Sequence, residues 1–413
     1  MSKHYNQVES WQQNLRAMWF TELMAIVGFA VVIPILPLYL RVLGVEGDRQ
    51  ISIWSGVVVA APSVTMAIFA PIWGVLSDRH GRKVMVERAM FAGAVTMTLM
   101  GFAQSPQQLT ILRALQGALT GTVTASTALV ASSVPDDRAG YALGTLQTAI
   151  YVGASAGPLL GGLVADSLGY RAAFLVTGGL LLTAAVAVHL SVEEPLRRER
   201  AAHNPTTSAA HGQVALHRRV WRYLTPVLGS APILAVLSLR LLARLGARLT
   251  SPTLPLFVET IAAPGARVAT TTGLITGVAA LGGAVGGRQL GQLGDRVGYR
   301  SVLIACALLS IVSYAPQALV GRPIWLLPLQ AGAGLAMGGI LASVRALLAA
   351  LGPKGREGII YGVENTVSSI GSVIGPITGS ALAAGLGLRA PFLASAAVFA
   401  VGLLAAIRLL PEQ

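Results

Sequence analysis

The chain has 413 residues, of which 54 % are hydrophobic and 11 % are charged. Soluble domains carry about 25 % charged residues, so this composition excludes a soluble globular protein and indicates a membrane protein. The formal net charge of +13 could suggest nucleic-acid binding, but most basic residues lie in short segments between apolar runs. We therefore expect a lipid bilayer, and no nucleic acid, as the surroundings of this chain.

Twelve apolar runs of roughly 18–30 residues follow one another, each long enough to cross about 30 Å of hydrocarbon as a helix. They predict an all-α membrane protein with twelve transmembrane helices in two pseudo-symmetric six-helix bundles. The bundles are expected at 1–190 and 229–413, with a cytoplasmic linker at 191–228. The predicted spans 1 to 12 cover 17–40, 52–74, 84–103, 108–132, 140–164, 171–190, 229–258, 269–290, 302–320, 324–348, 358–385 and 391–410.

The basic residues are distributed unevenly about these spans. With the N-terminus inside, only six of the 30 lysines and arginines face outside. Because positive residues are retained on the cytoplasmic side, both termini are predicted to be cytoplasmic. The outward six are Arg41, Arg49, Arg171, Arg267, Arg322 and Arg389.

Span 1 contains Glu22, which is the one acid well inside the spans of the N-terminal half. A carboxyl group in apolar surroundings with an arginine nearby can gain and lose a proton as a cavity opens to either side. Our hypothesis is that Glu22 carries a coupling proton or meets a cationic substrate. The alternative is an acid near the membrane interface that reaches toward water.

The segment between spans 2 and 3 reads GVLSDRHGRK at 74–83, and a similar segment reads GQLGDRVGYR at 291–300. The two aspartates, Asp78 and Asp295, are 217 residues apart, about half the chain. We expect a tight loop in each half, in which Gly81 permits a sharp turn. Gly74 is expected to let two helices approach closely. The charged residues Asp78, Arg79 and Arg82 are expected at the membrane surface, with Arg82 reaching an acid such as Asp137.

The internal repeat extends well beyond this segment. The strings PILPLY at 34–39 and PTLPLF at 252–257 are 218 residues apart, as are GASAGP at 153–158 and GSVIGP at 371–376. Each repeat has six spans, an even number, so both halves keep the same orientation in the membrane. Such parallel repeats place the substrate site between the halves, near the membrane midplane.

Span 4 carries Arg113 in the string RALQG at 113–117. A charged side chain at the bilayer centre costs about 2.5–3.5 kcal/mol on insertion scales, so Arg113 should face water or an acid. Its counterpart at the 217 offset is Gln330, which lacks the charge. This asymmetry favours a specific role in transport over a structural salt bridge, which stays open as the alternative.

Span 5 contains Gly153, Gly157 and Gly161 at four-residue spacing, with Pro158 among them. Small residues at this spacing make a flat surface for a partner helix, and the proline removes one backbone hydrogen bond and permits a bend. Helix packing is therefore the first expectation for this motif.

Span 7 carries Arg240, Arg244 and Arg248, all within an arc of about 80° on a helix. Three like charges at this spacing repel one another, so they should line an aqueous cavity or meet acids. One hypothesis is that they attract an anionic or zwitterionic group of a substrate. The alternative is ion pairing with Glu22 and Glu364 that holds one conformation.

The duplicated segment at 74–83 and 291–300 resembles the loop signature of the major facilitator superfamily. The glycine motif of span 5 resembles that of the family's twelve-helix drug:proton antiporters, and RALQG resembles their span 4 motif, whose arginine is associated with proton coupling. The resemblance covers about 11–411 and implies a proton-coupled exporter of small amphipathic compounds that works by alternating access. It implies a multi-pass protein of the bacterial inner membrane, a monomer, with Asp78 acting in gating.

The resemblance implies no cofactor other than the proton gradient and no enzyme activity. The single cysteine, Cys306, excludes an intrachain disulfide, and the linker histidines are poorly spaced for a metal site, so no metal is expected. Two other functions stay open. One is a flippase or exporter of an anionic lipid or phosphorylated metabolite, which the span 7 arginines would suit. The other is a membrane enzyme or sensor.

Overall fold

The computed structural model describes residues 2–135, 138–192, 230–351 and 357–409, apart from the side chains of 2–10, 357–359, Val75, Asp78, Arg79 and Ser132. Most of the predicted linker at 191–228 lies outside these ranges, so the boundary between the two bundles stays a prediction.

The described chain is helical almost throughout and contains no strand within these ranges, as expected of an all-α membrane protein. The helices of the first half are α1 Ser2–Val32, α2 Leu36–Val42, α3 Asp48–His80, α4 Arg82–Gly101, α5 Pro106–Leu119, α6 Thr122–Ser133, α7 Ala139–Leu168 and α8 Tyr170–Ser191. Those of the second half are α9 Ala231–Leu249, α10 Leu254–Ile261, α11 Val268–Val297, α12 Tyr299–Tyr314, α13 Leu326–Leu351, α14 Glu357–Leu386 and α15 Ala390–Leu409.

Two predicted spans are interrupted at equivalent points of the repeat. Span 1 is divided into α1 and α2, and span 7 into α9 and α10. Pro37 and Pro255, which are 218 residues apart, stand in the first turn of α2 and α10. A proline disrupts the interior of a helix but fits the first turn of one. Pro37 and Pro255 therefore each stand where one helix has ended and the next begins.

All twelve predicted spans coincide with helices of the described chain, but two of them are not single long helices. Within the described residues, ten helices are long and apolar enough to cross a membrane by themselves. Span 4 is split into α5 and α6 at Gly121, which has a φ of +135°, and span 7 combines the arginine-bearing α9 with the short α10. Each of these two spans is therefore a pair of shorter helices.

The predicted loops around Asp78 and Asp295 are much shorter than expected. Helix α3 continues to His80 and α11 to Val297, so each turn consists of a single glycine. Gly81 has a φ of +98° and Gly298 a φ of +88°, a region that side chains with a Cβ rarely adopt. The expected close approach at Gly74 is wrong for this conformation, because a Cβ there would meet no atom within 4 Å.

The chain has two apolar cores, one centred in each half, and they contain matching contacts. In the first half the Tyr39 and Phe174 rings lie 4.9 Å apart, and in the second the Phe257 and Phe392 rings lie 5.0 Å apart. Each residue of the second pair lies 218 positions after its counterpart, as do most of the sequence repeats. The duplication therefore extends to the packing of the bundles.

A buried hydrogen bond is also duplicated. The hydroxyl of Thr177 donates to the carbonyl oxygen of Gly28 at 3.1 Å, and that of Ser395 donates to the carbonyl oxygen of Gly246 at 2.8 Å. Both bonds join the last long helix of a half to its first, α8 to α1 and α15 to α9. They hold the first and the last long helix of each bundle together.

The halves contact each other mainly through two helix pairs, α7 with α11 and α3 with α14. Glycines allow these helices to pack closely: a Cβ at Gly162 would lie 2.2 Å from the Ala269 carbonyl oxygen, and one at Gly273 would lie 2.1 Å from that of Pro158. The backbones of α7 and α11 are therefore in direct contact.

These cross-half contacts include charged groups at one end of the molecule, which we call the distal end. It holds the turns at Gly44, Gly169, Gly265 and Gly387, whereas Gly81 and Gly298 mark the opposite, proximal end. Nη2 of Arg41, in α2, lies 3.1 Å from Oε2 of Glu259, in α10. Asp166 of α7 accepts hydrogen bonds of 2.7 Å from the Thr270 amide and hydroxyl. These contacts join the two halves at the distal end.

Candidate functional site

A cavity of about 430 Å³ lies between the two halves, within the size range of small-molecule sites. The first half contributes residues near the α1–α2 break and from the middle of α7, and α9, α11 and α13 of the second half contribute most of the rest. All three arginines of α9 line the cavity, together with the polar side chains of Tyr151, Tyr314 and Gln330.

Arg240 is the arginine of this row that meets an acid. Its Nε donates to Glu364 Oε1 at 2.5 Å, and its Nη2 donates to the Ser368 hydroxyl at 3.0 Å. Both charged side chains are buried, with 7 % and 1 % of their surface exposed. The pair joins α9 to α14 within the second half, so the predicted pairing with Glu364 exists for Arg240.

Neither Arg244 nor Arg248 lies within ion-pair distance of an acid among the described residues. Arg244 donates through Nε to the Ser372 hydroxyl at 2.8 Å. No hydrogen bond or ion pair of the Arg248 guanidinium is formed with any described residue. Both side chains are half-buried and line the cavity, so their remaining N–H groups are available to a bound molecule.

Glu22 is completely buried on α1, and its carboxylate is held by α6. The Ser126 hydroxyl donates to Glu22 Oε2 at 2.6 Å, while Oε1 is without a hydrogen-bond partner among the described residues. Glu22 does not pair with the α9 arginines and is not among the residues that line the cavity. The predicted meeting of Glu22 with that row is therefore absent from this conformation.

Arg113 is buried on α5 and its contacts are with neutral groups. Its Nη1 donates to Gln116 Oε1 at 2.7 Å, and its Nε lies 3.4 Å from the Val58 carbonyl oxygen on α3. No carboxylate of the described residues lies within ion-pair distance of it, so the alternative of a structural salt bridge is not seen. Its repeat counterpart, Gln330, lines the cavity and bonds Gln317 at 2.9 Å.

The glycine motif of α7 forms the contact surface with α1. A Cβ added at Gly153 would lie 2.9 Å from Ile26 Cβ, and one added at Gly157 would lie 2.6 Å from Ala30 Cβ. One added at Gly161 would lie 2.0 Å from the Val31 carbonyl oxygen. The two helices converge along the motif, which is the packing expected of small residues at four-residue spacing. The neighbouring Pro158 presents its carbonyl to Gly273 of α11, so α7 packs against both halves here.

The second copy of the motif places α14 against the arginine helix. A Cβ added at Gly371 would lie 3.0 Å from Arg244 Cβ, and one added at Gly375 would lie 2.6 Å from Arg248 Cβ. One added at Gly379 would lie 1.8 Å from the Leu249 carbonyl oxygen. The glycines therefore accommodate the stems of the two arginines that lack an acid, and this contact constrains where their guanidinium groups can lie.

The predicted gating residues are only partly described. The side chains of Asp78 and Arg79 and the whole of Asp137 lie outside the described residues. Arg82 donates to the Ala128 carbonyl oxygen at 2.8 Å, which joins α4 to α6. Asp295 accepts a hydrogen bond from the Tyr299 hydroxyl across the turn at Gly298.

Sequence reasoning missed several residues of these networks. Ser368 and Ser372 follow Glu364 at four-residue steps on α14, the spacing of the arginines on α9, so a search for matching periodicities could have found them. Ser126, the partner of Glu22, is far away in sequence and had no such signal. Nor did the distal contacts of Arg41 and Asp166.

Comparison with known proteins agrees with this architecture. A model of the Major Facilitator Superfamily matches residues 18–269 and 236–413. The multidrug resistance protein MdtG of Escherichia coli K12 is 34 % identical over 389 residues, covering 94 % of this chain and 92 % of its own. The same values hold for MdtG of the uropathogenic strain 536.

Solved structures show the same fold at low sequence identity. A D-xylose–proton symporter matches with a TM-score of 0.76 at 15 % identity, covering 98 % of each chain. The nucleoside transporter NupG matches with a TM-score of 0.75 at 12 % identity, covering 97 % of this chain and 99 % of its own.

These findings confirm the predicted fold class and the family. They also exclude the alternative of a membrane enzyme or sensor, since the match extends along both halves of the chain. The protein belongs to the Major Facilitator Superfamily and is a multi-pass membrane transporter, not an enzyme.

Proposed function

We propose that the chain is a proton-coupled efflux transporter that exports small amphipathic compounds by alternating access. The observation that carries the proposal is the relationship to a multidrug resistance protein over 94 % of the chain, combined with a cavity between the two halves. The cavity offers apolar walls with a few polar groups, a combination that suits amphipathic molecules.

The contacts between the halves support alternating access. At the distal end the halves are joined by the Arg41–Glu259 ion pair at 3.1 Å and by the Asp166–Thr270 hydrogen bonds at 2.7 Å. If both termini are cytoplasmic, as the charge bias predicts, this arrangement corresponds to the state that receives cargo from the cytoplasm. Export then requires these distal contacts to separate while the proximal ends approach.

Proton coupling is assigned to the first half. Glu22 is a buried carboxyl whose Oε1 is free of hydrogen bonds among the described residues, so a proton can bind there without displacing the bond from Ser126. Arg113, on the same half, is the second candidate, because its buried guanidinium has only neutral partners. Cargo and proton would thus bind in different places and be linked through the movement of the halves.

The available driving force is sufficient for this function. A membrane potential of 100 mV supplies about 2.3 kcal/mol per charge moved. Because about 1.4 kcal/mol corresponds to a tenfold ratio, one net charge per cycle can sustain a gradient of roughly 50-fold. A gradient of this size protects a cell from a toxic compound.

The test is transport by the purified chain in proteoliposomes, with and without an imposed pH gradient, across cationic, neutral and anionic compounds. We expect accumulation of amphipathic compounds that collapses when an ionophore dissipates the gradient. Accumulation that is indifferent to the gradient would contradict proton coupling, and an absence of transport for every compound would contradict efflux.

We further propose that the chain acts as a monomer in a bacterial inner membrane with both termini in the cytoplasm. The positive-inside bias supports the orientation, and the bacterial relatives support the membrane. Export or flipping of an anionic lipid or phosphorylated metabolite is not favoured by these relatives, which are multidrug resistance proteins.

A further inference from the structure

The cavity carries a positive charge that its own walls do not balance. Arg240, Arg244 and Arg248 are the charged residues among those described around it, and no aspartate or glutamate is among them. Glu364 neutralises Arg240 through the 2.5 Å ion pair. Two guanidinium groups, those of Arg244 and Arg248, are then left without an ion pair to any acid that the structure describes.

This surplus is unfavourable for the empty protein. Residues four apart on a helix are neighbours, so the two positive charges repel each other. Unpaired charges within a membrane-spanning bundle are costly, which is why such residues pair or mark a path for a substrate. An anion placed between Arg244 and Arg248 would remove both penalties at once.

The hydrogen-bond donors that remain suit an oxyanion. The Ser372 hydroxyl accepts from Nε of Arg244. The two terminal nitrogens of Arg244 and all the donors of Arg248 form no hydrogen bond with a described residue. Guanidinium groups bind carboxylate-like oxygens through two parallel N–H bonds. The close packing of Gly371 and Gly375 against the two arginine stems limits their freedom before anything binds.

The rest of the lining is mainly apolar. Ile33 and Ile150 of the first half and Met337 and Leu341 of the second face the same cavity as the arginines. Met337 adds an unbranched thioether side chain that adapts to different shapes. A ligand that fills this space therefore needs an apolar body as well as an acidic group.

We propose that the cavity selects amphipathic organic anions, with the acidic group bound between Arg244 and Arg248 and the apolar body against the Met337 and Leu341 wall. Arg240 is not a ligand-binding residue in this scheme: with Glu364 it fastens α9 to α14 and so orients the other two arginines. The proposal rests on the proposed export function and names the charge class of the cargo.

The experiment compares two probes of nearly equal size, naphthalene-2-sulfonate, which is permanently anionic, and naphthalene-2-sulfonamide, which is neutral at pH 7. Binding to the purified full chain in nanodiscs of zwitterionic lipid is measured by equilibrium dialysis. We expect the sulfonate to bind at least tenfold more tightly than the sulfonamide. Arg244→Gln and Arg248→Gln should each lower the affinity for the sulfonate at least tenfold and that for the sulfonamide less than threefold.

The control is Arg322→Gln, which removes the same charge from an exposed residue between α12 and α13, away from the cavity lining. It should leave both affinities unchanged. Arg248→Lys keeps the charge but loses the paired donors, and it should give an intermediate affinity for the sulfonate. If either glutamine variant fails to fold, the corresponding lysine variant provides the comparison.

The proposal is overturned if the wild-type chain binds both probes equally, or if the glutamine variants weaken both to the same extent. It is also overturned if methanesulfonate binds as tightly as naphthalene-2-sulfonate, because the cavity would then be a site for small anions only. Failure of the export function has a different signature: selective sulfonate binding would persist, but proteoliposomes would accumulate no compound under a pH gradient.

Discussion

Arg240 and Glu364 form a buried ion pair of 2.5 Å between α9 and α14, at the position of the second half that corresponds to Glu22 in the first. Glu22 itself has no ion-pair partner among the described residues and bonds Ser126 instead. The duplicated scaffold thus carries opposite charges at equivalent points. Arg240 is neutralised by Glu364 of its own half, whereas Glu22 has no such counterion among the described residues. This difference underlies the separate roles proposed for the two halves.

The Arg240–Glu364 pair makes a prediction about stability. Glu364→Gln removes the acid and leaves a buried guanidinium without its counterion, a change that costs about 3–5 kcal/mol in buried pairs. We expect the variant to unfold at a clearly lower temperature in detergent. The double variant Arg240→Met, Glu364→Leu removes both charges and should recover most of the loss. A single variant as stable as the wild type would contradict a structural role for the pair.

Glu22 makes a prediction about coupling. Glu22→Gln keeps the size of the side chain and an acceptor for Ser126 but cannot release a proton. We expect the variant to exchange cargo across the membrane down its gradient, while the accumulation driven by a membrane potential of about 100 mV falls from a ceiling of roughly 50-fold toward equality. Ser126→Ala is the matched control, since it removes the hydrogen bond but keeps the carboxyl. Undiminished accumulation by Glu22→Gln would remove this residue from the mechanism.

The distal ion pair makes a prediction about conformation. Arg41 pairs across the halves with Glu259 at 3.1 Å and within its own half with Asp48 at 3.2 Å. Exposed pairs contribute up to about 1 kcal/mol, so Glu259→Gln should increase the population with an open distal end by up to about fivefold. Asp48→Asn, the control, should not. Spin labels at Glu46→Cys and Ala263→Cys report the separation, and equal distance distributions for the two variants would refute the latch.

The glycine motif makes a prediction about packing. A Cβ at Gly161 would lie 2.0 Å from the Val31 carbonyl oxygen, so Gly161→Ala must push α7 away from α1. Overpacking of this kind costs about 1–3 kcal/mol, and the variant should lose thermal stability in detergent. Gly74→Ala tests the opposite case, because nothing lies within 4 Å of a Cβ there. A loss of stability by Gly74→Ala in this conformation, or none by Gly161→Ala, would contradict the packing.

The spans, their duplication and the family were accessible from the sequence because each depends on a local or repeated pattern. An apolar run long enough for the bilayer specifies a helix wherever it occurs, and the 218-residue offset specifies its counterpart. The breaks at Pro37 and Pro255 could also have been anticipated, since both prolines were part of a recognised repeat. The single-residue turns at Gly81 and Gly298 were harder to foresee, because helical residues with polar side chains near the membrane surface look the same in sequence as a loop.

The sequence by itself determined that charges lie inside the membrane and that three of them share one face of a helix. Only the tertiary structure decided how each charge is paired. Arg240 pairs with an acid 124 positions away, whereas Arg244 and Arg248 pair with none in the described part of the chain, and Glu22 bonds Ser126 rather than an arginine. Such partners are chosen by the way whole helices pack, and the energy of a buried charge depends on groups that are distant along the chain.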